Sequence, residues 1–236
     1  MRTYSIQFIT DELTCHRSRI NFRHSTIKTT RLIITFLLTA IYISLFAING
    51  WKQFKGTFFF LTQWGFNLTW FYFLYNTFKF IDKEPTHSLN TFFHLIFTLE
   101  LNITLMFWAF ILPTQTRKIY MSDSLSISEG EYEYIMLVLH TIPLICVLID
   151  FVINKIVMKN EKMYVLFIVL FCYAIVNFIG TYCLHYHIYD IIDYKSWATL
   201  YYMFLAVFVA WVFWYVPTLL QKTKYVRVDT GEEFLY

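Results

Sequence analysis

Charges divide this chain into pieces. From residue 32 to 50, 57 to 78, 88 to 112, 134 to 154, 163 to 186 and 196 to 220 it runs almost without an ionised side chain. Each run holds roughly 20 residues, enough at 1.5 Å per residue to cross the ~30 Å hydrocarbon core of a bilayer as a helix. In hydrocarbon every backbone N–H and C=O must be satisfied within the protein, and a helix does this alone. The pattern predicts an all-α polytopic membrane bundle with six transmembrane helices. A polar basic segment at 1–31 precedes the helical domain at 32–220, and a polar tail at 221–236 follows it. Composition supports this: 58% of residues are apolar and only 15% charged, too little polar side chain to coat a water-soluble fold.

Six spans return the chain to the side on which it began. The N-terminal segment and the loops at 79–87 and 155–162, together with the tail, hold 14 of the 19 Lys and Arg residues. The positive-inside rule therefore puts both termini in the cytoplasm, or in the matrix if the membrane is mitochondrial. Trp51, Trp64, Trp108, Trp197 and Trp214 fall near proposed span ends, where an aromatic belt is expected. The basic excess reads as a topology signal, with anionic lipid as its partner and no nucleic acid.

Residues 1–31 carry no apolar core of the length a secretory signal needs, so the first span is expected to act as an uncleaved anchor, a mitochondrial presequence being the alternative. The four cysteines, at 15, 146, 172 and 183, have no paired spacing, and three lie in spans. This indicates neither a disulfide framework nor a metal site, and no phosphate-binding loop or cofactor motif is present. The sequons at Asn67 and Asn102 lie inside proposed helices, out of reach of a glycosyl transferase.

His140 lies six residues into the run that begins at Tyr134. An ionisable group inside a span is a functional candidate by default. Thr62 lies five residues into the second run. By helix rise both residues sit ~8–9 Å below the same, non-cytoplasmic face. A bundle that joins them would pair a hydroxyl nucleophile with an imidazole base, the parts needed to attack a lipid acyl ester arriving sideways from the bilayer. Against this, threonine in a membrane helix ordinarily bonds its own backbone, and histidine often only bridges helices.

The other ionisable groups fit less well. Glu100 is ~9 Å deeper than His140, too far to orient it. Asp150 is expected at the inner interface, and His94 in a helix contact. His185 and His187 are two residues apart and so point to opposite faces of a helix, which suits an interfacial role better than a metal. A haem held by His94 and His140 would need the two at one depth, and they are not.

The segments FFLTQWGFNL around Thr62, MFWAFILP ending at Pro113, LHTIPLICVLIDF around His140 and IYDIIDYKSW at 188–197 occur in the same order as in the androgen-induced and rolling-stone-like family of six-helix membrane proteins. The chain resembles that family over about residues 55 to 200. LTQWGF and IYDIIDY resemble the rolling-stone branch most; the androgen-induced branch implies a threonine hydrolase of fatty acid esters of hydroxy fatty acids, with Thr62 and His140 at the positions of its catalytic pair. The chain departs from the family pattern at Asp190, where a proline usually follows the tyrosine. Two function classes stay open. One is a membrane hydrolase of lipid esters in the endoplasmic reticulum or another endomembrane. The other is a non-enzymatic subunit of a larger membrane protein complex, for example in the mitochondrial inner membrane.

Overall fold

The computed structural model describes residues 16–18, 24–57, 59–78, 87–112, 129–154, 156–184 and 194–227. Six helices carry them: α1 (His24–Thr57), α2 (Leu61–Phe78), α3 (His87–Leu105), α4 (Glu129–Ile153), α5 (Tyr164–Phe178) and α6 (Trp197–Lys224). Two of them continue into π-helical turns, α3 through Met106–Ile111 and α5 through Ile179–Cys183. Five of the six, all but α2, are long and apolar enough to cross a membrane. A short antiparallel pair joins β1 (His16–Ser18) to β2 (Tyr225–Arg227), which directly follows α6.

The 18-residue α2 buries polar as well as apolar side chains, Thr62, Gln63, Thr69 and Asn76 among them. Thr62, Gly65, Phe66, Thr69, Tyr72, Phe73 and Asn76 recur at helical spacing and are buried. They meet α1, α3 and α4, and the side-chain pairs fix the register. Thr35 bonds Thr77 and Trp70 bonds Thr39 between α1 and α2, while Tyr42 stacks on Phe66. Tyr72 packs on Phe93 between α2 and α3, and Phe97 on Phe151 between α3 and α4. With Thr69 bonded to Glu100 and Thr104 to the His140 carbonyl as second pairs, numbers rise along one helix as they fall along the other in each case, so these neighbours are antiparallel.

The core of this four-helix group includes Leu38, Phe66, Tyr72, Phe73, Phe93, Phe97 and Val147. A second cluster joins Leu95, Leu99 and Ile103 of α3 to Leu166 and Leu170 of α5 and to Ala210 and Trp214 of α6. The outward faces are apolar as well. Ile33, Phe36, Phe171 and Phe204 are all exposed, as lipid-facing residues are and those of a water-soluble surface are not.

Three expectations change. Helix α1 begins at His24, so the last residues before the first apolar run are already helical, and Arg31 lies inside the bundle. Asp150 does not belong to an interface: it is fully buried and pairs with Arg31. Trp214 is no belt residue, being fully buried and stacked on His94 at 3.8 Å between ring centroids. In all three, charge or ring polarity was read as a mark of the membrane surface, whereas a partner on another helix offsets the cost of burial.

Candidate active site

Thr62 is the second residue of α2. The carbonyl of Phe60, just outside the helix, accepts the N–H groups of Gln63 and Trp64 and so closes the first turn. The N–H groups of Leu61 and Thr62 precede any acceptor within the helix. The threonine hydroxyl points across to α4, where its Oγ1 lies 3.0 Å from Nε2 of His140. Both residues are 7% exposed.

The opposite ring nitrogen decides the direction of this bond. Nδ1 of His140 is 2.9 Å from the carbonyl oxygen of Met136, one turn earlier in α4. A carbonyl only accepts, so Nδ1 carries the hydrogen and a neutral ring presents its lone pair at Nε2. The Thr62 hydroxyl is then the donor, aimed at a base. A histidine serving only to bridge helices would work equally well in the other tautomer. Here the backbone selects the tautomer that accepts a proton from threonine.

Helix α3 holds the ring from the side. Its π-helical turn brings the Phe107 ring parallel to the imidazole, 3.5 Å between centroids and 19° between planes. One turn earlier, the Thr104 hydroxyl donates to the backbone carbonyl of His140 at 2.7 Å. The next aromatic, Trp108, donates from its indole nitrogen to the Thr141 hydroxyl at 3.1 Å and spans the seam between α3 and α4. Both ends of the contact are irregular, since Pro143 removes one N–H from α4 three residues after His140. Widened turns of this kind recur at functional sites.

The polar residues continue inward in layers. Thr69, two turns below Thr62, donates to Oε1 of Glu100 at 2.7 Å. A Cβ at Gly65 would run into the terminal methyl of Ile103 and come within 3.0 Å of Glu100 Oε1, so the glycine leaves room for these two side chains of α3. Deeper still, Arg31 donates to both oxygens of Asp150, at 2.6 and 3.1 Å, and the Tyr72 hydroxyl and the Asn154 amide donate to Oδ2 at 2.7 and 3.0 Å. Glu100 thus bonds Thr69 and not His140, as its depth implied. His94 makes the expected helix contact, with Nε2 2.7 Å from the Trp214 carbonyl and Nδ1 3.2 Å from that of Lys159.

His185 and His187 lie outside the described residues. Among the described residues no group of three or more His, Cys, Asp or Glu side chains could hold a metal. Phe107 and Thr104 are the members of the site that sequence reasoning missed. Sequence shows only that a polar residue and an aromatic three positions apart share a helix face, and the contacts of both with His140 are what direct that face to the site.

Comparison with protein-family models, with curated proteins and with solved structures finds no match to this chain.

Proposed function

We propose that the chain is an integral-membrane hydrolase of lipid acyl esters, with Thr62 as nucleophile and His140 as general base and acid. The observation that carries this reading is the directed contact from the Thr62 hydroxyl to an Nε2 kept unprotonated by the Met136 carbonyl. As Oγ1 attacks the ester carbonyl carbon, its proton passes to Nε2 and the carbonyl electrons move onto oxygen. Collapse expels the alcohol, which takes the proton from Nε2 and leaves an acyl-threonine. Water then gives its proton to the same nitrogen as it attacks the acyl carbon, and collapse breaks the bond to Thr62 Oγ1, which takes that proton back from Nε2 as the fatty acid leaves. The N–H groups at the first turn of α2 supply the kind of donor that stabilises the developing oxyanion.

In this reading α2 is the sixth span. Its 18 residues cover ~27 Å, and its polar side chains are tolerated because they face α1, α3 and α4 rather than lipid. With the cytoplasmic or matrix side assigned to the Lys- and Arg-rich segments by the positive-inside rule, the catalytic pair lies toward the opposite leaflet. Substrate reaches it sideways, through the seam that Trp108 and Thr141 close. Trp108→Phe removes that bond and keeps an aromatic, though smaller, ring. Losing a latch of ~0.5–1.5 kcal/mol is expected to speed fluorophosphonate labelling about 2–10-fold. An unchanged rate would put the access route elsewhere.

The direct test is to incubate purified protein with a lipid acyl ester, quench in acid and look by mass spectrometry for acylated Thr62. Acyl-Thr62 in the wild type and none in His140→Gln is the expected outcome. Turnover without any acyl-threonine would sink the covalent route.

A competing reading, the non-enzymatic subunit, draws on α6. Trp197, Tyr201, Phe204, Phe208, Trp211 and Tyr215 all point outward at alternating spacings of four and three, Trp197 being 85% exposed. That spacing is the seam of a left-handed helix pair, which suits a partner helix in the membrane. A chain that copurifies in a stable membrane complex and fails to label with any ester probe would favour this reading.

A further inference from the structure

Helices α5 and α6 pack mainly on the far side of α3, yet one line of hydrogen bonds runs from them to the turn that carries the nucleophile. The Tyr173 hydroxyl of α5 donates to the backbone carbonyl of Phe59 at 3.1 Å. That hydroxyl accepts from the side-chain amide of Asn177 at 3.0 Å. The amide oxygen of Asn177 accepts from the Tyr194 hydroxyl at 2.6 Å. Every bond points the same way, Tyr194 to Asn177 to Tyr173 to Phe59, so each donor is polarised by the one behind it. The Tyr173 ring also meets Trp64 edge-on, at 5.8 Å between centroids.

The far end of the line is held in a conformation that L-residues rarely adopt. Tyr194 has φ 54°, the one non-glycine residue with positive φ among those described. Its backbone N–H donates to Thr199 Oγ1 at 3.1 Å while its hydroxyl is spent on Asn177. Thr199 and Asn177 are each 2% exposed. Such a conformation persists where surrounding contacts over-determine it, and functional sites are where it is usually found.

The near end falls on the one stretch of backbone whose placement decides whether Thr62 meets His140. Phe59 and Phe60 are consecutive. The Phe60 carbonyl is fixed by α2 through Gln63 and Trp64, and the Phe59 carbonyl is fixed by α5 through Tyr173. With both carbonyls held, the first turn of α2 cannot swing, and Thr62 two residues on stays in line with Nε2.

We infer that Tyr173, Asn177 and Tyr194 are positioning residues of the Thr62 site, holding the peptide that leads into the nucleophile's helix. The inference rests on the hydrolase reading above. None of the three touches the reacting atoms, so their loss acts on how often the hydroxyl is aligned and leaves the lipid-binding surface as it was.

The test is the kinetics of covalent labelling of the full-length protein in detergent by a lipid-like fluorophosphonate, separated into kinact and KI. A misplacement approaching 1 Å costs about a hundredfold in a reaction step. Tyr173→Phe, which keeps the ring and removes the bond to Phe59, is expected to lower kinact by about 10–100-fold with KI unchanged within about twofold. Tyr194→Phe acts one bond further away and is expected to lower kinact by about fivefold. It carries the test if Tyr173→Phe does not fold. Amide hydrogen exchange over residues 59–64 supplies a readout that needs no chemistry, and faster exchange is expected in both variants. Labelled wild type with kinact unaltered in the variants, a change confined to KI, or unaltered exchange at 59–64 would each overturn the positioning role and leave the hydrolase reading standing. No labelling of the wild type would overturn the hydrolase reading and this inference with it.

Discussion

His140→Gln is expected to slow covalent modification of the protein by a lipid-like fluorophosphonate about 10²–10⁴-fold, the range a positioned general base contributes. Glutamine is close to histidine in volume and can keep the packing against Phe107, but its amide nitrogen has no usable lone pair to take the Thr62 proton. The site geometry makes the size of the effect a matter of tautomer as well as of residue type. Because Met136 holds the proton on Nδ1, Nε2 stands ready 3.0 Å from the hydroxyl without any rearrangement. The measurement is the pseudo-first-order labelling rate at saturating probe, with thermal unfolding in detergent as the control for folding. A fall of less than tenfold would mean that the contact bridges two helices and does not activate the hydroxyl.

The second large effect concerns stability. Asp150→Ala is expected to destabilise the bundle by about 3–5 kcal/mol, because it leaves the Arg31 guanidinium buried between α1, α2 and α4 without its counter-charge. Tyr72 and Asn154 lose their acceptor in the same step. Removing both charges at once, as Arg31→Met with Asp150→Leu, is expected to cost far less, since nothing charged then remains buried. Unfolding midpoints in detergent or SDS for the two singles and the double measure the coupling. Near-additive losses would show that the pair is not energetically linked. The layer lies ten residues along α4 from His140, ~15 Å by helix rise. Asp150 variants that still fold are therefore expected to label at close to the wild-type rate.

The helical architecture was legible in the spacing of charges because the hydrocarbon core demands long uncharged helices. Five of the six runs appear as helices of membrane-spanning length and composition. The exact ends were less legible, and the reason is physical. Charges mark where a helix leaves hydrocarbon, which is not where the helix stops. Helix α4 starts at Glu129, five residues before the apolar run, while α2 starts at Leu61, four residues after its own run begins. Measured from helix ends, Thr62 and His140 have very different depths. Measured from the starts of the uncharged runs they match, as two residues in contact at 3.0 Å must.

Arg31 and Asp150 were illegible for the opposite reason. A charge near the end of an apolar run looks the same in sequence whether it sits in the interface or turns inward to a partner, and only the partner distinguishes the two. Arg31 and Asp150 are 119 positions apart, on α1 and α4, so no local pattern joins them. The same holds for Tyr173 and Phe59, 114 positions apart. By contrast Thr62 and His140 each stood out alone, as polar groups in apolar surroundings, and a common depth was enough to suggest that they meet.

A nucleophilic Thr62 hydroxyl forms a covalent adduct that the alanine variant cannot form. The measurement that bears on it most directly is active-site labelling of the purified wild type and of Thr62→Ala by a lipid-like fluorophosphonate, with the modified peptide identified by mass spectrometry. The account predicts one adduct per wild-type chain, on Thr62, and none in Thr62→Ala. Equal labelling of the two proteins, or none of either, would contradict it.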